Sequence, residues 1–279
     1  MKRILIPTDL SDLGDHAYSI ANVLAEKTGA EICLFSVIPG PSNAFYCEDG
    51  HLKNDEGNDY SEWEAKKTER QSKLEEWAKD KKDIKSIHTD IGRVNDLIVS
   101  YAETNKIDMI VMGTQGLFGM DEVFKNSHTQ YIMNHTKVPV ISLKCNRADV
   151  SLNEIVLVSD FHDIKECPLG SLKAIAAAFD SKIVLLKIKT PHAKRTEEEI
   201  IRDMKAFVDI NNLSNVDYYI YNDKSVEQGV SKFCMEKHID LIALGTHQNT
   251  EFSKLFRNSV SDNFVNHLFH PILTFPINN

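Results

Sequence analysis

With 279 residues, the chain is longer than one hydrophobic core usually organises, and its 42% of hydrophobic residues is enough to fill two. A formal net charge of -9 at pH 7 excludes general nucleic-acid binding unless a local basic patch overrides it, and no Lys/Arg block supplies one. No apolar run approaches the roughly 20 residues that cross a bilayer. The five cysteines, Cys33, Cys47, Cys145, Cys167 and Cys234, are odd in number and lack Cys-x-x-Cys spacing, which argues against a disulfide framework and a zinc ribbon and for a reducing cytoplasm.

The opening Met1-Lys2-Arg3-Ile4-Leu5-Ile6-Pro7 meets Asp9 and Asp12 before a targeting core can form, so it is predicted as a first strand, 3–7. Short β-rich runs then alternate with helical patterns: helix 12–28, strand 31–38, helix 61–82, strand 84–90, helix 94–106, strand 108–113, helix 127–135 and strand 138–144. The helix over 61–82 carries Glu62–Lys66, Glu64–Thr68 and Glu75–Lys79 at i,i+4 spacing and reads as a solvated face, with Trp63 and Trp77 packed on the sheet. Further strands follow at 154–159, 182–189, 215–221, 240–245 and 271–276.

The second series repeats the first. Ile107-Asp108-Met109-Ile110-Val111-Met112-Gly113-Thr114 recurs as Ile239-Asp240-Leu241-Ile242-Ala243-Leu244-Gly245-Thr246, an offset of 132 that also relates Asn126-Ser127 to Asn258-Ser259 and His135 to His267. Near the start of each copy, Ile4-Leu5-Ile6-Pro7-Thr8-Asp9 matches Ile155-Val156-Leu157-Val158-Ser159-Asp160 at an offset of 151. The 19 extra residues of copy one are placed most economically in 39–60, a polar stretch with Pro39, Gly40, Pro41, Gly50 and Gly57. The expected domains are 1–146 and 152–279. Near-continuous apolar strands such as Met109 to Met112 require a sheet covered on both faces, so each copy is an α/β, doubly wound, open parallel-sheet domain of Rossmann-like type.

In such sheets ligands sit beyond the carboxyl ends of the strands. There copy one places Gly113-Thr114-Gln115-Gly116, with Asn126-Ser127-His128-Thr129 at the next helix start, and both suit a phosphate: glycines permit close backbone approach, and a helix start offers free N–H groups. An ordinary glycine turn with a helix cap accounts for the same residues equally well. Ser11 or Asp9 before the first helix is read as a cap ahead of a catalytic group. Cys47, Glu48, Asp49, His51, Asp55, Glu56 and Asp59 match no zinc or calcium loop, and the insert reads as a solvated acidic flap. No nucleophile–base–acid set emerges, so no catalytic residues and no resident metal are assigned.

These motifs resemble the universal stress protein family over essentially all of both copies. Its ATP-binding members carry Gly, two residues, Gly, nine residues, then Gly-Ser or Gly-Thr. Copy one gives Gly113, Gly116 and then Asn126-Ser127, with asparagine, the non-glycine residue that best tolerates a left-handed backbone, in place of the third glycine. The resemblance implies ATP or another adenine nucleotide as ligand, with Mg2+, near Pro7, Thr8, Asp9, Val37, Met112, Gly113, Thr114, Gln115, Gly116, Asn126, Ser127, His128 and Thr129. It implies that the main chain of Val37 meets adenine. Copy two has Gln248 at the second glycine position and Asn258 at the third, and its site reads as degenerate although Asp160 and Ser259 persist. The resemblance further implies a cytoplasmic stress-response regulator or sensor with an unidentified protein partner, pairing of 138–144 with 272–276 within the chain, and a homodimer. The alternatives are a nucleotide-independent scaffold and a slow ATPase. A catalyst of the wider adenine-nucleotide α-hydrolase-like superfamily is disfavoured by the missing Ser-Gly-Gly loop and His-x-Gly-His motif.

Overall fold

The structure, a computed structural model, describes residues 1–53, 60–114, 128–144, 151–162, 165–246 and 270–276. Gln115, Gly116, Asn126, Ser127, His247, Gln248, Asn258 and Ser259 lie outside the described residues. The chain divides into two units.

The first unit runs β1 (Arg3–Pro7), α1 (Asp12–Thr28), β2 (Glu31–Pro39), α2 (Ser61–Ala78), β3 (Ile84–Gly92), α3 (Val94–Thr104), β4 (Met109–Gly113), α4 (His128–His135) and β5 (Val140–Leu143). Its strands are all parallel in the order β3-β2-β1-β4-β5. β1 and β4 are buried along their apolar residues, as a central strand covered on both faces must be. The second unit contains β6 (Glu154–Val158), α5 (Gly170–Phe179), β7 (Lys182–Lys189), α6 (Glu197–Asn211), β8 (Val216–Asn222), α7 (Val226–Lys237), β9 (Leu241–Thr246) and β10 (Ile272–Pro276). The same parallel order reappears as β8-β7-β6-β9-β10. In both units the order reverses beside the first strand, so the switch point lies between β1 and β4 in one and between β6 and β9 in the other.

The duplication extends to single hydrogen bonds. Asp108 Oδ2 accepts the backbone N–H groups of Lys2 (2.6 Å) and Arg3 (2.9 Å), and Asp240 Oδ2 accepts those of Asn153 (2.8 Å) and Glu154 (3.0 Å). One carboxylate in each unit thus ties the start of the first strand to the start of the fourth. Left-handed residues recur as pairs too: Leu10 with Phe161, Gly29 with Asp180, Asp83 with Asn215, and Lys106 with His238. Only one of these eight is a glycine. The repeat keeps the turn geometry although the other seven positions carry side chains, which tolerate it best at Asp83, Asp180 and Asn215 and cost roughly 1–2 kcal/mol at the remaining four.

Between β2 and α2 stand 21 residues, against 7 between β7 and α6. The remainder of the length difference lies chiefly in α2, which has 18 residues to the 15 of α6. The described part of the insert is not merely solvated. It folds back onto the carboxyl ends of β2 and β3: Gly40 N–H donates to Gly92 O (3.1 Å), Arg93 N–H to Gly50 O (2.9 Å), and Arg93 Nη2 to Cys47 O (3.0 Å). Gly92 is required here, since a Cβ on it would stand 2.2 Å from Gly50 O. His51 bridges Asp49 (3.0 Å) and Asp90 (3.1 Å), and Lys67 of α2 reaches the other oxygen of Asp90 at 3.3 Å.

Burial of Asp90 opposes ionisation, but the hydrogen bond from Ile91 N–H and the Lys67 ammonium outweigh it and hold the carboxyl below its ordinary 3.8. A depressed native pKa gives stability that is present above the unfolded value and is lost as pH falls through the native one. Asp90→Asn is therefore expected to blunt the loss of stability of the first unit below about pH 4. Denaturant midpoints compared on either side of that pH check it; an acid limb as steep as in the unmodified chain would refute the role.

Candidate functional site

At the switch point of the first unit, the chain leaves β1 through Thr8 and Asp9. Thr8 N–H extends the ladder to Phe35 O (3.0 Å), and its buried hydroxyl accepts from Leu10 N–H (3.0 Å), which stabilises the left-handed Leu10 and turns the chain into α1. Asp9 is exposed. One of its oxygens accepts Ser11 N–H at 3.0 Å. Partial burial raises its pKa, yet the Ser11 hydrogen bonds and the Arg70 guanidinium prevail and keep it below the ordinary carboxylate value. Asp9 is ionised at neutral pH. The Ser11 hydroxyl makes no cap bond, so Ser11 is the residue before α1 without being a side-chain cap.

Pro7 ends β1, Val37 lies buried near the end of β2, and Met112 lies buried at the end of β4, where Thr114 N–H donates to Leu143 O (2.8 Å). Thr8, Asp9, Val37, Met112, Gly113 and Thr114 thus share the carboxyl edge of three neighbouring strands. His128 and Thr129 begin the described part of α4. Thr129 is buried, and His128 Nδ1 lies 2.6 Å from Asn95 Oδ1 of α3, a contact that accounts for this histidine without a ligand. His135 closes the same helix on Tyr131 O at 2.8 Å, as a helix-end contact.

Gly113 has a packing reason of its own. A Cβ there would lie 2.3 Å from Leu13 O and 2.7 Å from Leu13 Cβ, because the first turn of α1 rests directly on the end of β4. Sequence reading also missed Arg70. Its Nη1 donates to Asp9 O (3.0 Å) and to Ser36 Oγ (3.2 Å), bracing the turn after β1. The available signal was position: Arg70 precedes the buried Leu74 and Ala78 at four-residue steps, so it continues the inward stripe of α2. Of the expected surface pairs, Glu62–Lys66 forms at 2.5 Å, whereas Lys79 pairs with Glu76 and Thr68 bonds the Glu64 carbonyl. Trp77 packs on α1, edge-on to Tyr18 with centroids 6.0 Å apart.

In the second unit the equivalent carbonyl, Asp160 O, is also bound by a guanidinium, at 2.9 Å from Arg195 Nη1. Matching the buried stripes of the two helices, Leu74 and Ala78 with Phe207 and Asn211, places Asp203 where α2 has Arg70. Asp203 is the carboxylate that pairs with Arg195. Among the described residues no group of three or more His, Cys, Asp or Glu side chains is arranged to hold a metal, and no helix is long and apolar enough to cross a membrane.

Comparison with known proteins agrees with this repeated architecture. The universal stress protein family matches residues 1–144 and again 153–276. A universal stress protein of Methanocaldococcus jannaschii is 30% identical over 151 residues, covering 51% of this chain and 82% of its own. The crystal structure of a universal stress protein from Archaeoglobus fulgidus is similar across 99% of this chain and 97% of its own, with a TM-score of 0.69 at 18% identity. A functionally unknown protein from Pseudomonas aeruginosa is similar over 99% of this chain and 93% of its own, with a TM-score of 0.58 at 12% identity. Matched twice along its length, the chain belongs to the universal stress protein family, with two family domains in tandem.

Proposed function

We propose that this tandem universal stress protein binds an adenine nucleotide at the switch point of its first unit and acts in the cytoplasm as a stress-response regulator or sensor. The convergence of Thr8, Asp9, Val37 and Met112 to Thr114 on one strand edge is the observation that carries this reading. Charge orders the ligand. An exposed, ionised Asp9 repels phosphate and accepts N–H or O–H groups, so it suits the base or ribose end. The phosphates then belong toward Gln115, Gly116, Asn126 and Ser127 and the start of α4, with Mg2+ as their counter-ion. Buried Val37 and Met112 supply apolar wall. The nucleotide would act on a protein partner by favouring one arrangement of the segment after β4.

A second reading, a nucleotide-independent scaffold, is favoured by Gly113, whose lack of a side chain is already required by Leu13. Mass spectrometry of nucleotide released on denaturation, with ATP titrations in the presence and absence of Mg2+, separates the two. ATP is expected to bind the unmodified chain and to lose at least tenfold in affinity in Gly116→Gln, which copies Gln248; a loss of about that size corresponds to ~1.4 kcal/mol. No released nucleotide and no titration below millimolar would leave the scaffold reading. Phosphate release abolished by the same variant would identify a slow ATPase.

A further inference from the structure

The second unit, whose nucleotide motif reads as degenerate, contains a cleft of about 710 Å³ at the carboxyl ends of β6, β7 and β8. That volume falls within the range of small-molecule sites. Its walls carry Lys187, Lys194, Arg195 and Lys224 against the two carboxylates Asp160 and Glu227, in a chain whose overall charge is -9. The local sign is thus opposite to the global one. We propose that this cleft binds a small, multiply charged phosphoryl compound.

The reasoning begins with which cations remain available. Arg195 is committed: it donates to Asp160 O and pairs with Asp203, itself 13% exposed, so its planar fork is not free to grip a carboxylate side-on. Lys187, only 14% exposed, forms the floor and is held by Asp160. Lys194 and Lys224 are exposed and have no acidic partner among the described residues. Ammonium groups arranged as point charges around a cavity suit a tetrahedral phosphoryl group better than a planar carboxylate. The first turn of α7, with Ser225 capping Gln228 N–H, adds a favourable dipole along one wall.

The two copies differ at this place for a visible reason. In the first unit the insert crosses the carboxyl ends of β2 and β3 and bonds to Gly92 and Arg93. In the second unit the 7-residue connection from β7 to α6 leaves the corresponding ends open and itself supplies Lys194 and Arg195. Ser36, buried in β2, corresponds to Lys187 in β7, so the cation on the floor is also particular to copy two.

The test is a titration of the full chain with pyrophosphate, followed by 31P NMR and calorimetry, with citrate as the polycarboxylate arm. Pyrophosphate is expected to bind the unmodified chain and Gly116→Gln equally. Lys194→Glu/Lys224→Glu, altered at two exposed positions, is expected to weaken binding by at least about tenfold while keeping its circular dichroism and melting profile. Lys224→Gln alone is expected to show an intermediate loss. Absence of pyrophosphate binding, unchanged affinity in the double variant, or loss of binding in Gly116→Gln would each overturn the site. Citrate binding as tight as pyrophosphate would overturn the phosphoryl assignment.

Discussion

Gly113→Ala is expected to destabilise the first unit by about 3 kcal/mol, the upper end of what overpacking costs, because both obstructing atoms belong to the rigid start of α1. The added methyl would stand 2.3 Å from a backbone oxygen and 2.7 Å from a Cβ, and neither can rotate away as the end of a long side chain would. Relief requires α1 to lift from β4, which would disturb the buried Ala17, Ile20 and Ala21 on the same helix face. Urea denaturation measures the loss. ATP titration of the still-folded variant then divides the two roles of this glycine: a stable variant that no longer binds ATP would show that the position serves the ligand and would sink the packing account.

Phe233→Ala is expected to cost about 3–5 kcal/mol in the second unit, whereas Phe233→Leu should cost under about 1.5 kcal/mol. Phe233 is 1% exposed and meets Tyr219 and Tyr221 edge-on, with centroids at 5.3 and 5.8 Å. It belongs to one core cluster with Val184, Leu186, Val230 and Leu244, so deletion of the ring leaves a cavity in the core shared by β7, β9 and α7. Both variants are compared by denaturant unfolding, and equal losses for the two would mean that the site collapses around the missing ring.

Much of the fold is legible in the sequence because each copy repeats the same alternation and the strands are apolar enough to require covering on both faces. The ends of elements shift by one to four residues: the helix expected to reach Lys82 ends at Ala78. The site was legible only as far as local pattern carries. Gly113 and Thr114 follow from strand ends and switch-point geometry, whereas Thr8, Asp9 and Met112 are candidates only through the resemblance to the family. Arg70 did not follow, because it looks like one more charge on a charged helix until the sheet shows which face is turned inward. The acidic appearance of the insert likewise hid its contacts with Gly92 and Arg93, which are distant in sequence and follow no period. The cleft of the second unit was missed for a related reason: its lysines come from three separate segments, and a search for single basic blocks passes over them.

The two guanidiniums that brace the turn after the first strand come from non-equivalent places, and that constrains how the copies can have diverged. Arg70 acts directly, while its counterpart position holds Asp203, which recruits Arg195 from the preceding connection. Exchanging Arg70 for aspartate alone leaves the first unit without its cation, and placing arginine at Asp203 alone sets two guanidiniums against each other. Passage between the two arrangements therefore requires at least two coordinated substitutions. The pair forms an epistatic unit that a position-by-position comparison of the copies would score as simple loss.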